Sequence, residues 1–417
     1  MYCFPLQDDL VITKVGDCWK LIGMVDMGTT NENIDIICKG KKVTRLASQA
    51  LQFVFHGFTG FRWPVSYYGS TTATSHQLYL TFWKSVDALE EMGFTVDYMM
   101  ADGATTNRTF TSMLFNGDPR EELFLFKNVY NREHVMVAIQ DIKHVLKRIR
   151  NNIESSRKEN KENSKGRYLV LEGQAILWDH WEECFLFNYQ GGFEIHNKLT
   201  EDHITLTAAS KMRNQLAIDV LNKNMLFLMK SYQQTLPDPE RLSSSIRLLE
   251  ATSIICDIFC SINHPVTSME DPRIAEISQA LQFFNRWEAD ILESSPTLAK
   301  KNLMTKETRD DINSSLVGFT SLCRQTTGKG NSLNPGFLNS DLIENFFCQQ
   351  RGIRNGLNSN PTLEQFAKSS TAIVLGQCLV SRRANASESA SSSYFRAKLS
   401  RPLNSTRKSR KQIKVKI

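Results

Sequence analysis

The sequence predicts an α/β protein in which a mixed sheet precedes a mainly α-helical block. Three observations carry that prediction. Short β-forming runs alternate with helical apolar spacing up to residue 153, two of those runs end in an acid, and from residue 167 the pattern turns almost wholly helical. A chain of 417 residues has room for about two to three domains. With 41% apolar and 23% charged residues it is ordinary globular material with a substantial core.

Asp9-Leu-Val to Gly28 reads as a hairpin, two apolar runs separated by Gly16-Asp17. Residues 49–68 form an aromatic-rich β segment, with Gly57 and Gly60 marking a bend and Trp63-Pro64 an edge, so three antiparallel strands are the economical reading. Residues 75–91 follow as a helix, with Leu78, Phe82, Val86 and Leu89 on one face, Ser75 as its cap and Gly93 at its end.

Residues 96–100 are mostly β-formers, Asp102-Gly103 is a turn pair, and residues 105–115 read as a helix. An acid is thus presented at the carboxyl end of a buried strand, where open α/β sheets keep their ligands. The same spacing also suits an Asp that only caps the next helix. A second strand, residues 133–140, runs into Asp141. The helix behind it turns Val145, Ile149 and Ile153 inward and Lys147, Arg148 and Arg150 outward, as a phosphate-binding or simply solvated face.

Residues 154–166 are polar and charged and read as a linker, giving boundaries at 1–153, 154–166, 167–335, 336–383 and a Ser-rich, basic tail at 384–417 that reads as disordered. Inside the helical block, Cys256, Cys260 and His264 share helical spacing; they suit a metal or, as small core residues, none. Residues 341–351 then form a helix with Ser340 as N-cap, Asp341 and Glu344 neighbours on one face, and Leu342, Phe346 and Phe347 buried. Pro361 is placed to open another helix.

Several classes are disfavoured by composition. The nine cysteines never form Cys-x-x-Cys, which argues against a disulfide framework or zinc finger. The N-terminal residues lack a signal-peptide pattern and no apolar run approaches a membrane span, so a soluble cytosolic or nuclear protein is expected. The net charge is +6, with much of the excess in residues 396–416, which suits polyanion contact, nuclear import or a solvated end.

Carboxylates at the ends of adjacent strands plus one from a later helix are what a two-metal site requires. Mg²⁺ prefers oxygen ligands, and two ions can activate one oxygen while stabilising the leaving oxygen of a phosphodiester. Asp102, Asp141 and Glu344 are the candidates.

Five stretches occur in an order that resembles the P-element-type DNA transposases, including the THAP-domain transposases. They are Asp9-Leu-Val through Asp26-Met-Gly28, Asp102-Gly-Ala-Thr-Thr-Asn-Arg, Asp141-Ile-Lys-His through Asn152, Lys198-Leu-Thr-Glu-Asp-His-Ile with Lys211-Met-Arg, and Asp341-Leu-Ile-Glu-Asn-Phe-Phe. The resemblance implies an RNase H-like mixed sheet interrupted by a mainly α-helical, GTP-binding insertion, and DNA cleavage and joining with two Mg²⁺. Asp102 then resembles the second catalytic acid and Glu344 the last, together holding the metals. Asp341 matches an acid of that helix which serves the nucleotide, GTP, or the metals. Asp141 and His144 match a supporting Asp-x-x-His, and Lys147, Arg148 and Arg150 would follow DNA. Transposon and target DNA and a homo-oligomer are the implied partners, in the nucleus.

The sequence departs from that pattern in three places. No Asp-Glu-Met precedes the Asp9 stretch, so the first metal ligand is expected to be absent or replaced. No zinc-dependent THAP domain is present, and Phe259-Cys260 stands where the family has Phe-Asp. There is no Walker A loop either. A truncated, catalytically impaired transposase core is therefore expected, the alternative being a non-catalytic domesticated protein that binds nucleic acid or GTP.

Overall fold

The computed structural model describes residues 2–6, 10–15, 18–40, 45–116, 122–162, 166–190, 194–260, 264–352 and 360–377. The first half runs β1 (Tyr2–Pro5), β2 (Val11–Val15), β3 (Cys18–Ile22), α1 (Thr29–Lys39), β4 (Gln49–His56), β5 (Arg62–Ser70), α2 (Ser75–Glu91), β6 (Tyr98–Ala101), α3 (Thr105–Phe115), β7 (Leu125–Lys127), β8 (Val135–Gln140) and α4 (Ile142–Glu154). The expected hairpin is present as β2 and β3, closing at Val15↔Cys18; Gly16 and Asp17 lie outside the described residues. It stands as its own ribbon, though, and does not join the sheet β1-β4-β5 as the three-strand reading required. β4 and β5 are antiparallel, with a register shift at Phe53/Val54 opposite Pro64; that irregularity is how a residue without an N–H is tolerated inside a strand.

The alternation of β4 organises two cores. Leu51 and Phe53 pack with Phe82 and Val86 of α2 and Phe110 of α3, while Ala50 and Val54 pack with the C-terminal helices. α2 is capped by Thr74, not Ser75. Its hydroxyl accepts from Gln77 N while the Gln77 side chain returns to Thr74 N, because the residue before the first helical turn is the one with free geometry to cap. The second sheet has order β6-β8-β7, β6 parallel and β7 antiparallel to β8.

The second half continues with β9 (Leu169–Leu171), β10 (Gln174–Ile176), α5 (Trp178–Gln190), α6 (Glu201–Ile204), α7 (Ala208–Met212), α8 (Asn214–Asp219), α9 (Lys223–Gln233), α10 (Ser243–Cys260), α11 (Pro272–Ser294), α12 (Ala299–Asn302), α13 (Lys306–Gly328), α14 (Asp341–Gly352) and α15 (Leu363–Gln377). Its core is anchored by Trp178 and Trp181, both fully buried and stacked with ring centres 5.8 Å apart. That core runs without a break into Val137 and Ile139 of β8 and the apolar face of α4. α13 lies flush on β8, since a Cβ at Gly318 would sit 2.9 Å from the Ala138 carbonyl oxygen; only glycine allows that approach.

Two expectations are corrected here. The described residues of the 154–166 stretch are not a free linker: Ser156 is fully buried, its hydroxyl donates to Ile176 O at 2.6 Å, and Arg157 pairs with Glu182 at 2.5 Å. Pro361 does not open α15 either, because Thr362 takes the cap and accepts from Gln365 N. The tail beyond residue 377, and with it the 384–417 reading, lies outside the described residues. No helix among the described residues is long and apolar enough to cross a membrane.

Candidate active site

Parallel pairing of β6 with β8 sets Ala101 beside Gln140, so Asp102 and Asp141 follow at the same end of neighbouring strands. Asp102 Oδ1 accepts from Ala104 N at 3.0 Å and from Asn107 Nδ2 at 2.7 Å, an arrangement that ties the turn to the first turn of α3. Asp102 is therefore not the cap of α3, whose N-cap Ala104 has no side-chain cap bond; its Oδ1 braces the turn instead. A Cβ at Gly103 would press the Asp311 carboxylate at 2.6 Å and the Arg148 guanidinium at 2.7 Å, so a larger residue there displaces that pair.

Asp141 is fully buried and both of its oxygens are committed. Oδ1 accepts from Lys143 N at 2.9 Å, capping α4, and Oδ2 accepts from Ser340 N at 2.9 Å. The second bond reaches across 199 residues and seats the start of α14 on the start of α4. Two side-chain links reinforce it. Lys143 forms an ion pair with Asp341, and His144 Nε2 lies 3.3 Å from Glu344 Oε1, which also accepts from Ser340 Oγ at 3.1 Å. The expected Asp341 and Glu344 face thus points at α4, and Ser340 steers Glu344 through its hydroxyl.

The charges respond to that packing. The hydrogen bond from His144 holds Glu344 below the usual carboxylate range against the opposing effect of burial. Burial disfavours a charged His144, but Glu344 and the nearby Asp141 outweigh it and raise its pKa. Lys147 is lowered by its burial even though Glu344, Asp141 and Asp102 all act to raise it. A lysine side chain therefore sits within the field of all three candidate acids.

The outward basic face is corrected on the same grounds. Lys147 is buried, Arg150 is wholly buried and donates to Lys211 O at 2.9 Å, and Arg148 binds Asp311 at 2.9 Å and the Gly103 carbonyl. Helical spacing alone places them outward, away from Val145 and Ile149, but the helical block covers that side too. Sequence reading also missed the partner acid, Asp311 of α13, which Arg108 grips from α3 through two bonds of 3.0 and 2.6 Å. Burial pushes Asp311 up to about 6 against the pull of Arg108. Nothing in the sequence links positions 203 residues apart.

The fit of this rim to divalent metal can be tested on its donors. Carboxylate oxygens are the right type for Mg²⁺. Asp141 is used by backbone N–H groups, Asp341 faces Lys143, and the acids act on the nearby lysine Lys147. Among the described residues no three His, Cys, Asp or Glu side chains are grouped to hold an ion. The residues present do not fit a complete metal centre. Cys256 and Cys260 do not make one either: burial pushes the Cys256 thiol up, away from the thiolate a metal needs.

Residues 14–115 match the protein family described as TNP-like, RNase H N-terminal domain. Among solved structures, the Drosophila P element transposase strand transfer complex superposes with a TM-score of 0.66 at 15% identity, covering 90% of this chain and 75% of that one. The fold is that of the P element transposase. The expected RNase H-like sheet with a helical insertion is borne out, and the family domain lies where β2 to α3 build the approach to Asp102. No curated protein matches the sequence significantly. Asp102 follows β6, and Glu344 lies in the first turn of α14, which the Asp141 bond seats on the start of α4 beside β6.

Proposed function

We propose that this chain is a transposase-related, DNA-binding RNase H-like core in which Asp102 and Glu344 are the retained working acids and Asp141 and His144 position them. The observation that supports this most is the docking of α14 on α4, which brings a carboxylate from position 344 to the strand ends that carry Asp102 and Asp141. The similarity to a strand transfer complex supports DNA as the ligand. With Lys143, Lys147, Arg148 and Arg150 engaged or buried, the basic residues at 396–416 are the proposed phosphate contacts, and they also serve nuclear import.

The lysine among the acids favours a restricted chemistry. A rate that depends on positioned metal charge falls steeply when a lysine ammonium lies in the field of the acids. We infer DNA binding with cleavage slow or absent. One experiment separates the two: incubate the chain with labelled duplex DNA and Mg²⁺ or Mn²⁺, alongside Asp102→Ala, Glu344→Ala and a chain ending at residue 383. The proposal expects salt-dependent binding that drops without the tail, and slow cleavage lost in both acid variants. Binding with no cleavage assigns the non-catalytic role; robust Mg²⁺-dependent cleavage contradicts the impaired site. Fluorescent GTP analogues and light scattering test nucleotide binding and self-association in the same preparation.

A further inference from the structure

One face of α13 carries Thr308, Asp311, Ser315 and Gly318, all buried and recurring at the three- and four-residue spacing that a helix turns to one side. Three of the four seat the helix without the carboxylate. The Asn152 side chain of α4 donates to Thr308 Oγ1 at 3.0 Å, Ser315 Oγ donates to Gln140 O at the end of β8 at 2.9 Å, and Gly318 lies against the Ala138 carbonyl. Asp311 is the charged member of the set, and its side chain is only 3% exposed.

Its two oxygens hold arginines from two other helices. Arg108 of α3 donates from Nε to Oδ1 at 3.0 Å and from Nη2 to Oδ2 at 2.6 Å, while Arg148 of α4 donates from Nη1 to Oδ2 at 2.9 Å. The other arm of the Arg148 fork, Nη2, donates to the carbonyl oxygen of Gly103, the residue after Asp102. A single planar guanidinium thus spans the α13 carboxylate and the Asp102 turn, and its rigid fork sets the spacing between them. The turn is held twice: internally by Asp102 Oδ1, which accepts from Ala104 N and Asn107 Nδ2, and externally by Arg148.

Stability alone does not account for the carboxylate. Burial pushes Asp311 up to about 6 against the pull of Arg108, and Asp310 and Glu307 of the same helix act in the direction of burial, so folding disfavours its ionised form. Replacing a buried charge of that kind by a neutral group of the same shape is often neutral for stability. What the charge supplies is direction, since it orients both guanidiniums.

We propose that Asp311 is a positioning residue for Asp102: through Arg148 it ties the turn after β6 to α13, so that the helical block, and not the sheet alone, sets where the acid is presented. Arg108 keeps the carboxylate oriented by taking one oxygen with Nε and the other with Nη2. The role rests on the reading of Asp102 as a working acid.

Amide hydrogen exchange of the full chain reads the turn directly, in Asp311→Asn, Arg148→Lys and the unmodified protein. Asparagine keeps the shape and an acceptor but not the charge; lysine keeps the charge but lacks the fork that reaches both acceptors. Both variants should exchange about tenfold faster at Gly103 to Thr105, with exchange in α13 unchanged and the melting temperature within about 2 °C of the unmodified chain. Unaltered exchange at the turn overturns the proposal. So does equal acceleration along α13 and β8, which makes the carboxylate a packing residue only. Should Asp311→Asn fold poorly, Arg148→Lys decides alone, because it leaves the buried carboxylate its charge partner. No DNA enters the measurement: a faster turn in a chain that never cleaves DNA removes the working-acid reading and keeps the brace, whereas an unchanged turn in a cleaving chain removes the brace alone.

Discussion

Around Trp178 and Trp181 the chain is held by burial, whereas at the ends of β6 and β8 it is held by hydrogen bonds between residues 199 and 200 positions apart. The tryptophans are fully covered, and their indole N–H groups are spent on Ile204 O at 3.2 Å and Val220 O at 2.9 Å, so no polar capacity remains for a ligand. The acidic rim is the reverse: each of its carboxylates is held in place by one or two directional hydrogen bonds from backbone N–H groups or side chains. Bulk apolar contact makes the helical block a scaffold, and sparse directional contact makes the rim a site that one substitution can unseat.

The comparison breaks most visibly with Trp181→Ala. Removing that ring should cost about 3–5 kcal/mol of unfolding free energy in urea titration, the range for a buried aromatic; a loss under 1 kcal/mol would show that the helical block is not the scaffold. Asp141→Ala comes next. It leaves Lys143 N and Ser340 N without their acceptor, which should cost about 2–3 kcal/mol and speed amide exchange at the start of α14, while exchange in α10 stays slow. Asp141→Asn should restore part of both, because the amide oxygen can still accept one bond.

A pH titration sharpens the same contrast from the scaffold side. His180 is buried against Ser245 at 2.8 Å, and burial lowers its pKa from 6.5 to about 4. The unfolded chain therefore takes up a proton near pH 6.5 that the folded chain refuses until about pH 4, and stability should fall as pH drops through that window. The expected loss is about 1–3 kcal/mol, and His180→Leu should flatten the slope. Smallest is Thr74→Ala, which removes the capping box of α2 and should cost about 1 kcal/mol, visible as a small shift in the urea midpoint with the rim unaffected.

What could be read in advance follows the same division. Elements with strong periodicity, α2, α3, α4 and α11, and the acids placed by them, were legible because apolar spacing and turn residues are local signals. Asp102 and Glu344 could be nominated because an acid after a strand and an acid in a first helical turn are local patterns too. The burial of Lys147 and Arg150 was not legible: it is set by helices that arrive more than 50 residues later, as the Arg150 bond to Lys211 O, 61 positions on, shows. The short strand β7 gave no usable signal in three residues. The Arg108, Arg148 and Asp311 cluster was equally hidden, since each residue alone reads as an ordinary surface charge.

The bond from Asp141 to Ser340 also sets an order of events during synthesis. A ribosome releasing the chain from its N-terminus presents α4 long before residue 340 is translated, and at about 5–20 residues per second that interval lasts on the order of ten seconds or more. Throughout it the Asp141 carboxylate lacks the Ser340 N–H, and Glu344 does not yet exist. The nascent protein thus has the residues of the helical core, through α13, before it has those that complete the acidic rim.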